Sequence, residues 1–279
     1  MREIRKILCN FLSFSLSHYV TLWTFTIYYV VMPNMGITVR QCHDVEELNR
    51  KAAVYIADFA AGCIQEKGYF TLVLSGGNTP RGVYEHLAAA PLRDSLHWRD
   101  VNFFWGDERC VPPGHQGSNY SMAEKALLSK VPVPAGNIHR MKGENKLFTD
   151  AADMYECEIR DFFRNMKSSS GSFPSFDLIL TGVGLDGHTA SLFPGDAVLH
   201  ERSRWVRAVV APPDMPVRHR ITLTLPAINH ASHVLFLVSG EEKRNVVRSI
   251  INEPDAGERF PSALIKARDE TLWFVDFEV

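Results

Sequence analysis

The sequence predicts an α/β protein with a mainly parallel sheet, and three observations carry that prediction. Short apolar runs of strand character alternate along the chain with longer stretches whose apolar residues recur at helical spacing. Two of those runs empty into glycine-rich loops, at the place where an open parallel sheet borders its ligand crevice. The 279 residues are 46% hydrophobic and 22% charged, enough for one substantial core and ordinary for a globular domain.

Taken in order, the first helix starts at Asp44, whose pairing with Glu47 has the form of a capping box. Val45, Leu48, Ala52, Ile56, Phe59 and Cys63 keep helical spacing until Gly68. Residues 69–74 read as a short buried strand. A loop over 75–79 leads into a helix with Thr79 as its cap and Pro80 at its first position, running to about residue 90. A strand follows at 101–105, then helices at 121–130 and 150–166, the second with alternating charges on its outer face. Residues 168–175, Ser-Ser-Ser-Gly-Ser-Phe-Pro-Ser, disfavour regular structure and read as a flexible loop. Strands at 176–181, 205–210, 220–225, 233–238 and 272–276 complete the set, and Lys243 opens a helix after Ser239-Gly240. No internal repeat is visible. Strands interleaved with amphipathic helices make βαβ units.

Residues 1–35 stand apart. From Ile7 to Val39 there is no Lys, Arg, Asp or Glu, while Arg2, Arg5 and Lys6 precede the stretch. Residues 7–32 therefore have the length and flanks of a membrane or secretory targeting element, although Asn10, His18 and several serines and threonines dilute the hydrophobicity. Translation beginning at Met32 or Met35, which would leave the stretch dispensable, and a packed accessory helix are the alternatives. A single domain over 36–279 is expected in each case, with membrane association only if the extension is retained and functional.

A formal net charge of −2 shows no basic stripe for nucleic acid, so small molecules or proteins are the expected partners. Five scattered cysteines without a Cys-x-x-Cys pair argue against a disulfide framework and for a reducing, cytoplasmic setting. His230 and His233 lack a third ligand at metal-site spacing, so neither metal nor cofactor is expected.

The chemistry concentrates in the loops. Asp186 and His188 follow the apolar run 176–181, close enough for the carboxylate to orient the imidazole. The backbone of Ser75, Gly76, Gly77, Asn78 and Thr79, at a helix start, could form an anion-binding concavity, or simply a tight turn. Arg109, Arg220 and Lys243 each follow or begin an element; taken alone, each reads equally as a solvated surface charge.

Leu74-Ser-Gly-Gly-Asn-Thr-Pro80, Phe103-Phe-Trp-Gly-Asp-Glu-Arg109, Ser118-Asn-Tyr120, Asp186-Gly-His-Thr-Ala-Ser-Leu-Phe-Pro194, Arg220-Ile-Thr-Leu-Thr224 and Ser239-Gly-Glu-Glu-Lys243 occur in that order. Together they resemble the 6-phosphogluconolactonase family from about Ile37 to the C-terminus. The resemblance implies a three-layer α/β/α fold with a Rossmann-like sheet, shared with sugar-phosphate isomerases and deaminases. It implies metal-free hydrolysis of 6-phospho-D-glucono-1,5-lactone to 6-phospho-D-gluconate in the oxidative pentose phosphate pathway. Arg109 and Lys243 match positions of the family's cationic phosphate site, and Arg220 is a further candidate. For such a substrate His188 is the expected general base, held by Asp186, and the enzyme is expected to be a monomer or weak dimer. Ser75 and Ser191 are conceivable nucleophiles, but neither lies in Gly-x-Ser-x-Gly. The roles of Asp107 and Glu108 stay open between positioning Arg109, binding sugar hydroxyls and a structural ion pair. One rival is a hexosamine-6-phosphate deaminase, whose corresponding turn carries a carboxylate that Thr189-Ala-Ser-Leu-Phe-Pro194 lacks. The other is a non-catalytic sugar-phosphate sensor or anchoring protein.

Overall fold

The computed structural model describes residues 29–32, 37–166 and 173–279. Seven strands form the central sheet: β1 (Tyr29–Met32), β2 (Ile37–Gln41), β3 (Phe70–Leu74), β4 (Val101–Trp105), β6 (Leu178–Thr181), β9 (His233–Val238) and β10 (Glu270–Val275). Their order is β1-β2-β10-β9-β6-β3-β4, with every pairing parallel except the edge strand β1 against β2. The helices that flank the sheet are α1 (Val45–Lys67), α2 (Asn78–Leu87), α3 (Leu92–Ser95), α4 (Asn119–Ala126), α5 (Phe148–Asn165), α6 (Leu225–Asn229) and α7 (Arg244–Asn252). The α/β class and the mainly parallel sheet are thus as the sequence predicts.

Local chemistry explains the elements. Asp44 accepts the Glu47 N–H at 2.8 Å, while the Glu47 carboxylate accepts the His43 N–H at 2.7 Å, a capping box whose return bond lands one residue early. The Gly68 N–H closes the other end of α1 on Ile64 O at 2.9 Å. Strands β3, β4 and β6 are buried along their whole length, which is why they read as continuous apolar runs. Asp177 ties three of these parts together, accepting from Thr71 N and Thr71 Oγ1 at 2.8 Å each and from Lys67 Nζ at 2.5 Å.

Several expectations are corrected. Residues 205–210 and 220–225 do not extend the parallel sheet. They correspond to β7 (Val206–Val210) and β8 (His219–Leu223), which join β5 (Asp107–Arg109) in a separate antiparallel sheet of order β5-β8-β7. The mixed burial of β7 fits a strand with one wet face. Gly106 links the two sheets, donating to Leu74 O at 2.9 Å and accepting from Leu223 N at 2.8 Å. The helix expected to begin at Pro80 begins at Asn78, with Gly77 as its cap in the left-handed region at φ 110. The helix expected over 121–130 is α4, capped by Ser118, followed by a tight turn at Leu128–Lys130.

The targeting element read over 7–32 lies outside the described residues except for β1, a strand absent from the sequence reading. Up to residue 172, the serine-rich loop also lies outside them. Among the described residues no helix is long and apolar enough to cross a membrane.

The central sheet sets the position of the site. From β3 the chain turns outward to β4, whereas from β6 it turns the other way to β9. The carboxyl ends of β3 and β6 therefore flank a topological switch point, where an α/β sheet opens a crevice.

Candidate functional site

A cavity of about 380 Å³ opens at this switch point. It is lined by Ser75, Gly76, Gly77, Asn78 and Thr79 after β3, by Arg109 and Arg220 from the antiparallel sheet, by His188 after β6 and by Lys243 after β9. The expected substrate- and phosphate-binding residues and the expected base, from five separated segments, thus share one cavity wall, while Asp186 touches His188 from outside it.

The turn after β6 is built around that contact. His188 Nδ1 lies 2.5 Å from Asp186 Oδ1, and the His188 N–H reaches the same oxygen at 3.2 Å. Gly184 lies so close to the ring that a Cβ there would overlap it and crowd Asp186 Oδ1. Burial pushes the Asp186 carboxyl up, but the His188 ring and backbone bonds outweigh it and hold it below its ordinary value. An ionised carboxylate only accepts hydrogen bonds, so in the neutral ring Nδ1 is the nitrogen that carries the proton and Nε2 the one that keeps the free lone pair. The ring also packs against Phe193, with centroids 4.9 Å apart.

Three cations share the cavity with this histidine. Arg109 and Arg220 are direct partners in the β5/β8 register, a like-charge juxtaposition that costs stability unless an anion answers it. Arg109 Nη1 donates to Gly117 O at 2.7 Å, and Arg220 Nε donates to Val217 O at 3.0 Å. Among the described residues no carboxylate lies within ion-pairing distance of Arg109, Arg220 or Lys243. Burial pulls the Arg220 guanidinium down, Asp107 and Glu108 oppose that, and Arg109 adds to it. Burial likewise pulls the Lys243 ammonium down against Glu242 and Asp276.

Asp107 and Glu108, left open by the sequence, take separate roles. Glu108 is structural: its carboxylate accepts from the N–H groups of Arg109, Asn119 and Tyr120 and from Ser118 Oγ at 2.7–2.9 Å, three of those donors lying at the start of α4. Asp107 lines the cavity, accepting from Ser191 Oγ at 2.6 Å and Asn119 Nδ2 at 3.1 Å. Ser191 itself is fully buried and lies outside the cavity wall, which removes it as a nucleophile. Ser75 Oγ is buried in that wall with no hydrogen-bond partner, an orphan that a ligand hydroxyl or phosphate oxygen would satisfy. Sequence reasoning missed Asn119 and Thr181 as wall residues; Asn119 stood inside a quoted motif, whereas nothing marked Thr181. Among the described residues, no three His, Cys, Asp or Glu side chains gather in a way that could hold a metal ion.

Known proteins with similar sequences and folds place the cavity in context. The chain is 38% identical over 240 residues to 6-phosphogluconolactonase 3, chloroplastic, of Arabidopsis thaliana, covering 85% of this chain and 72% of the relative. It is 38% identical over 229 residues to a Synechocystis 6-phosphogluconolactonase, covering 82% and 91%. The solved 6-phosphogluconolactonase of Trypanosoma cruzi superposes with a TM-score of 0.75 at 30% identity, covering 85% of this chain and 93% of that one. A monomeric glucosamine-6-phosphate deaminase, at 21% identity and a TM-score of 0.70, shares the fold. Residues 43–273 match the family model described as glucosamine-6-phosphate isomerases/6-phosphogluconolactonase, and the chain belongs to that family.

Proposed function

We propose that this chain is a 6-phosphogluconolactonase, hydrolysing 6-phospho-D-glucono-1,5-lactone to 6-phospho-D-gluconate in the oxidative pentose phosphate pathway. The observation that carries the reading is the pairing, in one cavity, of an Asp186-oriented His188 with three cations that have no carboxylate partner. A substrate with a dianionic phosphate at one end and an activated ester at the other answers both halves. Arg109, Arg220 and Lys243 take the phosphate, and the amides at the start of α2 supply further donors.

With Nδ1–H held by Asp186, His188 Nε2 accepts a proton from a water whose oxygen bonds to the lactone carbonyl carbon. The tetrahedral intermediate collapses by breaking the bond from that carbon to the ring oxygen. The imidazolium returns the proton to that oxygen as it becomes a hydroxyl, so the acid is released and the base regenerated. Such a base contributes about 10²–10⁴-fold. The route passes through no acyl-enzyme and needs neither metal nor cofactor. A deaminase reading lacks its carboxylate, because Thr189-Ala-Ser-Leu-Phe-Pro194 carries none.

Activity as a monomer or weak dimer is part of this reading. The described cysteines, Cys42, Cys63, Cys110 and Cys157, are free, which supports a reducing compartment such as the cytoplasm. The test generates the lactone enzymatically from glucose 6-phosphate and follows acid release above the spontaneous rate. The wild-type chain should accelerate it, and His188→Asn should lower kcat by on the order of 10² or more with KM within a few-fold. Wild-type rates equal to the spontaneous rate would remove the activity; near-normal turnover in the variant would remove only the histidine.

A further inference from the structure

The base and the arginines belong to different sheets. His188 hangs from the central sheet after β6, whereas Arg109 and Arg220 are carried by the small antiparallel sheet. Gly106 joins the two sheets beside β3, but a substrate bound at both ends also needs the His188 turn held in place against the arginines, and one buried residue ties that turn to the small sheet. Ser191 Oγ donates to Asp107 Oδ2 at 2.6 Å, and the Ser191 N–H donates to Thr222 Oγ1 at 3.3 Å. Asp107 and Thr222 are themselves a cross-strand pair of β5 and β8, two residues along from the Arg109–Arg220 pair. Ser191 is thereby pinned to both strands that carry the arginines, three residues after the base.

The intervening backbone is under tension. Ala190 has φ 49, the one non-glycine residue in the left-handed region among the described residues, and it lines the cavity. Such a conformation persists only where its surroundings over-determine it. Here Thr189 Oγ1 is tied to Thr181 Oγ1 at 2.6 Å on one side, and Ser191 is pinned on the other.

We infer that Ser191 is a positioning residue, a brace that sets the distance between the general base and the phosphate site. Resting on the lactonase reading above, it makes the preference for a phosphorylated lactone depend on a residue that touches no substrate. Removing the brace lets the His188 turn relax relative to the arginines. A lactone anchored by its phosphate then meets a misplaced base, and a misplacement of about 1 Å costs on the order of 10²-fold. An unphosphorylated lactone, which lacks the phosphate anchor on the arginines, follows the base and is spared.

The experiment compares Ser191→Ala with wild type on 6-phosphogluconolactone and on unphosphorylated gluconolactone. The expected result is a kcat lower by about 10- to 100-fold with KM within about threefold on the first substrate. On the second, kcat/KM should stay within about threefold of wild type. Equal fractional losses on both substrates would mean that Ser191 only stabilises the turn, and unchanged rates on both would mean that it positions nothing; either overturns the brace. Should Ser191→Ala fail to fold, Thr222→Val, which removes the other attachment while keeping the shape, decides by the same comparison. Wild-type chain inactive on both lactones would instead overturn the lactonase reading.

Discussion

Arg220→Met separates a binding residue from a structural one. Arg220 is only 5% exposed, so its loss would ordinarily be read as core damage. Breaking a buried ion pair from one side costs about 3–5 kcal/mol. Yet Arg220 has no ion-pair partner; it faces Arg109 across β5 and β8, its guanidinium makes one hydrogen bond, to Val217 O, and it lies 5.6 Å from the centre of the Phe193 ring, at the outer limit of a cation–π contact. Replacing a buried charge by a packed apolar side chain returns about 1–4 kcal/mol, and losing a hydrogen bond to a charged donor takes back about 1.5–3 kcal/mol. The two nearly cancel, so ligand-free stability should change by no more than about 2.5 kcal/mol in either direction. For a domain near this size that is a Tm shift of at most about 10 °C.

The effect on function is not cancelled. A charged hydrogen bond to phosphate worth about 1.5–3 kcal/mol corresponds to a rise in KM of roughly 10- to 150-fold. Because the phosphate is held alike in ground and transition states, kcat should move much less. Thermal melts with and without inorganic phosphate, beside steady-state kinetics on both lactones, give every quantity. Phosphate should raise the wild-type Tm and lose that effect in the variant, while turnover of unphosphorylated gluconolactone is retained. A Tm lower by more than about 10 °C, with unchanged KM in the folded fraction, would show that Arg220 is structural.

Gly184→Ala should fold but lose kcat, because the new methyl overlaps the His188 ring and must rotate it off Asp186; wild-type turnover in this variant would mean that the Asp186 contact is dispensable. Glu201, which accepts from the N–H groups of Arg202, Ser203 and Arg204, is pulled down to about 2, chiefly by its backbone bond from Ser203. Its folded-state pKa lies below the unfolded value of 4.5, so its stabilisation is present above pH 4.5 and fades as pH falls toward 2. Glu201→Gln should therefore lower Tm near pH 7 and converge on wild type in acid melts; a pH-independent difference would refute the assignment. We propose that a chain starting at Met35 folds and hydrolyses the lactone, since every site residue lies at or beyond Ser75. It should lose some stability with the β1–β2 pairing, and an insoluble or inactive product would make residues 1–34 part of the core.

What the sequence could reveal depended on how local the causes were. Strands β3, β4 and β6 were legible because burial on both faces leaves an unbroken apolar run. The start of α2 was misplaced because the first turn of a helix leaves its N–H groups unpaired in any case, so proline fits the third position as well as the first. Strand β5 was invisible: Asp-Glu-Arg has no apolar pattern, and it is a strand only because β8 pairs with it. The site divides the same way. Asp186 and His188 sit two residues apart and could be read together, whereas the Asp107–Ser191 contact spans 84 residues. Arg220 was a candidate only through the motif it opens; its burial and its opposition to Arg109 come from the pairing of β5 with β8, which the sequence did not show.

The two folding problems of this site have one solution. A cavity holding three unanswered cations resists compaction, and a left-handed Ala190 resists its own turn. Both are restrained by neutral or acceptor groups on or beside the small sheet: Asp107 and Thr222 of β5 and β8 anchor Ser191, while carbonyls of Gly117 and Val217 in the adjoining loops anchor the arginines. None of these anchors neutralises a cation by ion pairing, so the positive field stays available to a phosphate. The side chains that follow His188 serve the same end, with Thr189 and Ser191 both engaged in internal hydrogen bonds. A carboxylate at either position would add a negative charge beside the cavity to that of Asp107, and a further titratable group close to the His188–Asp186 pair. In a fold also seen in a deaminase, that turn thus supplies one base, its orienting Asp186 and a neutral brace, which suits attack by water on an ester beside a phosphate.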